Sequence, residues 1–217
     1  MQFCESLKPL GVFNKIKNPT DNDLITRIVS DPINSVCLTF DDGPSEFTDE
    51  ILNVLQEYGA NATFFICGKN VAAYKTVLKR IVNEGHSIGI HGFDHIDVRG
   101  MSQNEFLFDV TKCENILADY GIRFDRIYRP PFGEMNQEKI DHLLRSGYQI
   151  YYWSIDSFDW KLKSEEMLSF LIKDSYQGDI ILFHDGIEDG SRKETLSALK
   201  ILLQHLSDNS IPAKCVK

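Results

Sequence analysis

Two adjacent carboxylates, Asp41 and Asp42, close the apolar run Val36-Cys37-Leu38 and are followed at once by Gly43-Pro44. On an extended segment adjacent side chains point to opposite faces, so such a pair at a strand end can face a metal with one carboxylate and a reacting water with the other. The same pair before Gly-Pro also suits a turn or a helix cap, and chemistry needs support elsewhere in the chain. His91-Gly92-Phe93-Asp94-His95 supplies it. Two imidazoles at this spacing can share one metal if the segment makes a helical turn after a strand. With Asp42 they form a His₂Asp set, and three protein ligands leave a position open for water, as catalytic zinc sites do. Asp94 is an alternative ligand, or simply a solvated carboxylate.

A metal-activated water needs a base to take its proton and an acid to protonate the leaving group. Asp41, beside Asp42, is the natural base. His184 closes the run Ile180 to Phe183 and is the natural acid, its bland reading being a satisfied strand-end histidine. Arg129 can pair with Asp41, and either Asp159 or Asp156 can orient and charge His184. Trp153, Phe158 and Trp160 crowd the same loop, where an exposed aromatic can stack on the apolar face of a sugar ring. Trp153 and Phe158 fit core packing better. The Pro130-Pro131-Phe132-Gly133 turn can offer a backbone N–H to an oxyanion, or serve only as a rigid turn.

The elements that must position these groups alternate. Strand-like runs at Val36 to Phe40, Ala62 to Ile66, Ser87 to His91, Arg126 to Arg129, Tyr148 to Ile155 and Ile180 to Phe183 alternate with helical patterns. The helices run at about Thr48 to Tyr58, Val71 to Glu84, Gln137 to Ser146, from near Ser164, and Lys193 to Leu206. Another is opened by Ser102-Gln103-Asn104-Glu105, which reads as a capping box, and carries Phe106, Val110, Cys113 and Leu117 on one core-facing side before Gly121. Ala213 to Val216 suits a last strand. About seven β/α units predict a parallel sheet, with each polar cluster at the carboxyl end of a strand, the functional rim of such folds. Residues 1–35, broken by Pro9, Pro19 and Pro32 with at most a short helix at Leu24 to Val29, should wrap the outside of a single catalytic domain at 36–217.

Composition narrows the function further. Apolar residues at 42% and charged residues at 25% are those of an ordinary globular protein, and no stretch approaches the ~20 apolar residues of a membrane helix. A net charge of −9 disfavours nucleic acid or an anionic membrane surface as partner. Met1 to Asn18 lacks the basic start, apolar core and cleavage site of a secretory signal; the expectation is a cytoplasmic protein without integral membrane association. The five cysteines are widely spaced and never in a C-x-x-C arrangement, as reduced structural thiols would be. His86, His142 and His205 suit structural or solvated positions.

Taken in order, TFDDG (39–43), H-x-x-x-H (91–95), RPPFG (129–133), DSFDW (156–160) and LFH (182–184) resemble the five motifs of the polysaccharide deacetylases, the NodB-homology or carbohydrate esterase family 4 enzymes. The chain is close in length to a bare domain of that family, like the NodB-type chitooligosaccharide deacetylases. The resemblance implies a distorted (β/α) barrel of about seven parallel strands and metal-dependent removal of acetyl from an N-acetylated amino sugar, releasing acetate. Carried over by motif, Asp41 is the base and His184 the acid, with Arg129 tuning Asp41 and Asp159 tuning His184. Asp42, His91 and His95 hold one divalent ion, foremost Zn²⁺, with Co²⁺ or Ni²⁺ as alternatives. Trp160 and Leu182 wall the acetyl pocket, and the Pro131-Phe132 turn meets the substrate, the Phe132 N–H stabilising the oxyanion. Two positions depart from the pattern: Gly92 replaces a Ser or Thr whose hydroxyl braces the metal loop, and Phe132 replaces a Tyr. The substrate expected is a short oligosaccharide, a glycolipid precursor or a biosynthetic intermediate; the alternatives are a deformylase or amidase on a small non-sugar amide and a catalytically silent sugar-binding module.

Overall fold

The computed structural model describes residues 34–174, 176–186 and 191–216. Of the segment 1–35 expected to wrap the outside, residues 1–33, with the short helix at Leu24 to Val29, lie outside the described residues. Eight strands join one parallel sheet: β1 (Val36–Asp41), β2 (Thr63–Ile66), β3 (Ser87–Ile90), β4 (Ile127–Tyr128), β5 (Gln149–Ile150), β6 (Ile155–Asp156), β7 (Asp179–His184) and β8 (Ala213–Lys214). Seven of them follow the order β5-β4-β3-β2-β1-β7-β6, and β8 pairs with the start of β1. The sheet curls into a half-barrel with helices around it, the distorted (β/α) barrel expected.

β1 is central, and every residue in it is buried, as a strand covered on both faces requires. Its side chains alternate. Val36, Leu38 and Phe40 join a cluster shared with α1 (Thr48–Glu57), α2 (Lys75–Asn83) and α6 (Lys193–Asp208), while Cys37 faces a second cluster with Phe65, Ile90 and Leu182. Phe40 is paired in register with Phe64 on one side and Phe183 on the other, its ring stacking at 5.1 and 5.7 Å. Such stacking adds about 0.5–1.5 kcal/mol per pair beyond burial. It stiffens the sheet directly beneath the carboxyl ends that carry the site.

The capping box forms as read: the Ser102 hydroxyl accepts the Glu105 N–H, and the Glu105 carboxylate accepts the Ser102 N–H at 2.7 Å. It starts α3 (Gln103–Asp119), whose Phe106, Val110, Cys113 and Leu117 are all buried. α4 (Gln137–Arg145) and α5 (Ser164–Leu171) complete the helices of the described residues. Two expectations are corrected. The helix expected from Val71 begins only at Lys75, after a 3₁₀ turn at Gly68–Asn70. The run Tyr148 to Ile155 is not one strand but β5 and β6, the two edges of the open barrel, with Tyr151 to Ser154 bridging the gap. Apolar continuity there reflects burial of Tyr151, Tyr152 and Trp153 rather than a ladder.

Cys37, Cys67, Cys113 and Cys215 are free thiols. His86 is buried and accepts the Ala62 N–H; His142 and His205 meet a serine hydroxyl and a backbone carbonyl. Among the described residues no helix is long and apolar enough to cross a membrane.

Candidate active site

β1 ends on Asp41, and Asp42 follows in the left-handed region at φ 72°. That turn gives the two carboxylates different main partners, although Asp41 Oδ2 also lies 3.7 Å from His91 Nε2. Asp41 Oδ1 accepts from Arg129 Nη1 at 2.8 Å, whereas Asp42 Oδ1 lies 3.3 Å from His91 Nε2 and 3.1 Å from His95 Nε2. The turn needs Gly43, because a Cβ there would overlap the carboxylate of Asp185, which is fully buried and accepts the Thr48 hydroxyl at 2.6 Å. The Asp185 carbonyl accepts the Ser45 hydroxyl. Burial and the nearby Asp42 and Asp41 charges push the Asp185 carboxyl up to about 7.

The His91–His95 segment corrects one expectation. It is a loop, not a helical turn, folded back by left-handed residues at Gly92 (φ 77°) and His95 (φ 58°). The two imidazoles nevertheless converge, with ring centroids 5.2 Å apart. His91 Nδ1–H donates to the Arg129 carbonyl at 2.7 Å, which leaves the Nε2 lone pair facing Asp42. One ligand atom each from Asp42, His91 and His95 lies within 4.8 Å of the others. Ligands about 2.0–2.1 Å from a tetrahedral zinc stand roughly 3.3 Å apart, close to the two Asp42 separations. Among the described residues Asp42 Oδ1 is enclosed with no hydrogen-bond partner, as an atom reserved for a cation would be. Burial works to raise the Asp42 pKa, but the His91 contact and the charges of His91, His184 and His95 hold it well below the usual carboxylate range. Oxygen and imidazole donors with this spacing fit a divalent ion. Asp94 is exposed and stands outside the group.

Arg129 is fully buried. Besides Asp41 it donates to the Thr39 hydroxyl at 2.8 Å and to the carbonyls of Tyr151 at 3.2 Å and Tyr152 at 2.7 Å. It thereby satisfies backbone groups in the gap between β5 and β6. Across the rim, Asp41 is in register with His184 on β7. The partner of His184 is Asp159, not Asp156: His184 Nδ1–H donates to Asp159 Oδ1 at 2.7 Å, and Asp159 Oδ2 accepts the His184 N–H at 2.9 Å and the Thr195 hydroxyl at 2.8 Å. Burial alone would lower the His184 pKa, but the Asp159 charge and hydrogen bond, with Asp42 and Asp41 behind them, raise it to about 9. Asp156 instead accepts the Phe158 N–H at 2.8 Å.

Phe132 and Trp160 stand 56% and 60% exposed, the Phe132 ring 4.6 Å from that of His95. Phe132 has φ 60° inside the 3₁₀ turn Pro131–Gly133, whose Pro131 is buried. Leu182 is buried on β7 and Trp153 is in the core, while Phe158 is half-buried against Trp160 and Phe170. Sequence reasoning missed Asp109 and Thr195, and placed Asp185 beside His184 on the rim without giving it a role. The only signal for Asp109 was a carboxylate beside the apolar stripe of α3; Thr195 and Asp185 gave none beyond proximity to motifs.

The sequence profile described as polysaccharide deacetylase matches residues 29–151. A peptidoglycan-N-acetylglucosamine deacetylase of Bacillus cereus is 35% identical over 151 residues, 69% of this chain, and the match spans 55% of that relative's length. The chitooligosaccharide deacetylase of Azorhizobium caulinodans is 29% identical over 79% of this chain and 88% of its own. The crystal structure of the Bc1960 peptidoglycan N-acetylglucosamine deacetylase superposes with a TM-score of 0.82 at 29% identity, over 89% of this chain and 90% of that one. Half-barrel, motif order and these likenesses agree, and the chain belongs to the polysaccharide deacetylase family.

Proposed function

We propose that this chain is a metal-dependent N-deacetylase that hydrolyses the acetamido group of an N-acetylglucosamine unit in a glycan, releasing acetate and leaving a free amine. We take residues 36–217 as its catalytic domain, a reading supported by the pairing of β8 with β1. The observation that carries the reading is the pairing of two opposite charge couples, Asp41 with Arg129 and His184 with Asp159, on cross-strand neighbours beside the Asp42, His91 and His95 trio. Relatives named for peptidoglycan N-acetylglucosamine and for chitooligosaccharides support the substrate class.

Asp42, His91 and His95 would hold the cation, Zn²⁺ being the best match to one carboxylate and two imidazoles. When bound, it supplies a Lewis acid that polarises the acetyl carbonyl and acidifies water. Arg129 occupies Asp41 Oδ1, so Asp41 takes the proton of the attacking water at Oδ2. The Phe132 N–H, near the start of a helical turn where amides have no intrahelical acceptor, stabilises the oxyanion. His184, held by Asp159 at Nδ1, delivers its Nε2 proton to the departing amine. Pro131 fixes the turn that presents Phe132, while Leu182 and Trp160 enclose the acetyl methyl, Trp160 offering its exposed face to the sugar ring.

The test is acetate release from N-acetylglucosamine oligomers by metal-free protein, with and without added Zn²⁺ or Co²⁺. Metal-dependent release is expected. Asp41→Asn should lose roughly 10²–10⁴ in rate while still binding Zn²⁺. Equal turnover of simple formamides would count against the sugar assignment, and undetectable hydrolysis in the parent with intact glycan binding would replace it with a binding role.

A further inference from the structure

Because His91 and His95 sit on a loop, their spacing must be held from outside it. Loop backbone groups removed from water need partners, and here they come from two sides. From one, the Gly68 N–H donates to the Gly92 carbonyl at 3.1 Å and the Lys69 N–H to the Phe93 carbonyl at 3.0 Å. From the other, α3 presents Asp109, whose Oδ2 accepts the Phe93 N–H at 2.9 Å. One turn further along α3, the Lys112 ammonium lies 3.4 Å from the Phe93 ring centroid. Asp109 is only 8% exposed, and a buried carboxylate persists only where its charge is bonded. Burial, with the Asp94 charge, pushes its pKa up, against the pull of the Phe93 N–H, Lys112 and the Asp94 N–H.

Gly92 completes the pattern. At φ +77°, a Cβ there would come within 3.2 Å of Asp109 Oδ2 and 3.4 Å of Pro131 Cγ. The space that a side chain at 92 would claim is taken by the Asp109 carboxylate. We propose that Asp109 is a positioning residue that sets the spacing of His91 and His95 for a divalent cation, from α3 rather than from within the loop. The proposal rests on the reading of Asp42, His91 and His95 as cation ligands.

The experiment measures Zn²⁺ affinity of metal-free protein by competition with a chelator, alongside the thermal midpoint of the metal-free form. Loss of a group that orients metal ligands costs on the order of 10–100-fold in affinity, and Asp109→Ala should fall in that range. Asp109→Asn, which keeps a carbonyl acceptor for the Phe93 N–H, should lose less. Val110→Ala, a packing change on the same helix, should lower the midpoint without altering the affinity. Gly92→Ser should weaken Zn²⁺ binding despite its added hydroxyl, because a side chain at φ +77° is strained and its Cβ crowds Asp109; if Asp109→Ala does not fold, Asp109→Asn carries the test, with an affinity below the parent's expected and a parent-like affinity overturning the proposal. Parent-like affinity in Asp109→Ala, unchanged or tighter binding in Gly92→Ser, or equal losses in Val110→Ala and Asp109→Ala would overturn the proposal. A parent that binds no Zn²⁺ overturns the ligand reading beneath it. Acetate release is not the readout, so a wrong substrate assignment leaves the outcome legible.

Discussion

Arg129 joins the chemistry to the architecture through one guanidinium. It pairs with Asp41 and bonds the carbonyls of Tyr151 and Tyr152 where the barrel is open. Removing one partner of a buried ion pair costs about 3–5 kcal/mol, so Arg129→Met should lower stability by that amount in denaturant titration. Lysine should not rescue it, since a single ammonium cannot reach the same set of acceptors. The His184–Asp159 pair makes a different prediction. A general acid works while protonated, and Asp159 helps hold the His184 pKa at about 9, above its ordinary 6.5. In Asp159→Asn the basic limb of the pH–rate profile should therefore move to lower pH by one unit or more. At this scale the motif residues were legible, because Asp-Asp before Gly-Pro and paired histidines are unusual at strand ends. Asp109 and Asp185 were not, because their partners are brought to them by packing: Asp109 and Phe93 lie 16 residues apart, Asp185 and Thr48 137.

Elements were read well where periodicity or capping was strong, as in α1, α3 and β7, and poorly where burial imitated a ladder. Tyr148 to Ile155 looked continuous because aromatic residues fill the barrel gap, and the His91–His95 loop looked helical because a spacing of four fits a helical turn as well as a folded-back loop. The junction of α2 with β3 carries a further consequence. His86 is buried there with Nδ1 accepting the N–H of Ala62, just before β2, and burial lowers its pKa from 6.5 to about 4. The unfolded chain then binds a proton that the folded chain refuses between these values. Stability contributed by neutral His86 is complete above about pH 6.5 and is lost as pH falls toward 4, by up to about 3 kcal/mol. His86→Gln in the metal-free protein should lack this loss, so its stability relative to the parent should rise as pH falls through that window, measured by urea titration.

At the scale of the whole molecule, the base of the central strand is completed by the last strand of the described residues. β8 pairs with Val36 and Cys37, the Val216 N–H donates to the Thr63 hydroxyl at 3.0 Å, and Val216 is fully buried. Deleting 213–217 removes that burial and several hydrogen bonds and should cost about 3 kcal/mol or more, read as a lower denaturation midpoint. The β/α alternation made the barrel legible, but the placing of β1 at its centre was not, since nothing local announces partners so remote. Thr39 bonds Ile181 across 142 residues, and Cys37 meets Cys215 across 178. Contacts of such separation come at a high loop-closure entropy and slow the search for the native state. Until β7 arrives, β1 has one bare edge of apolar residues, open to pairing with the same strand of another chain. The strand that bears Asp41 is thus also the one whose long-range pairing leaves an edge to be covered late in folding.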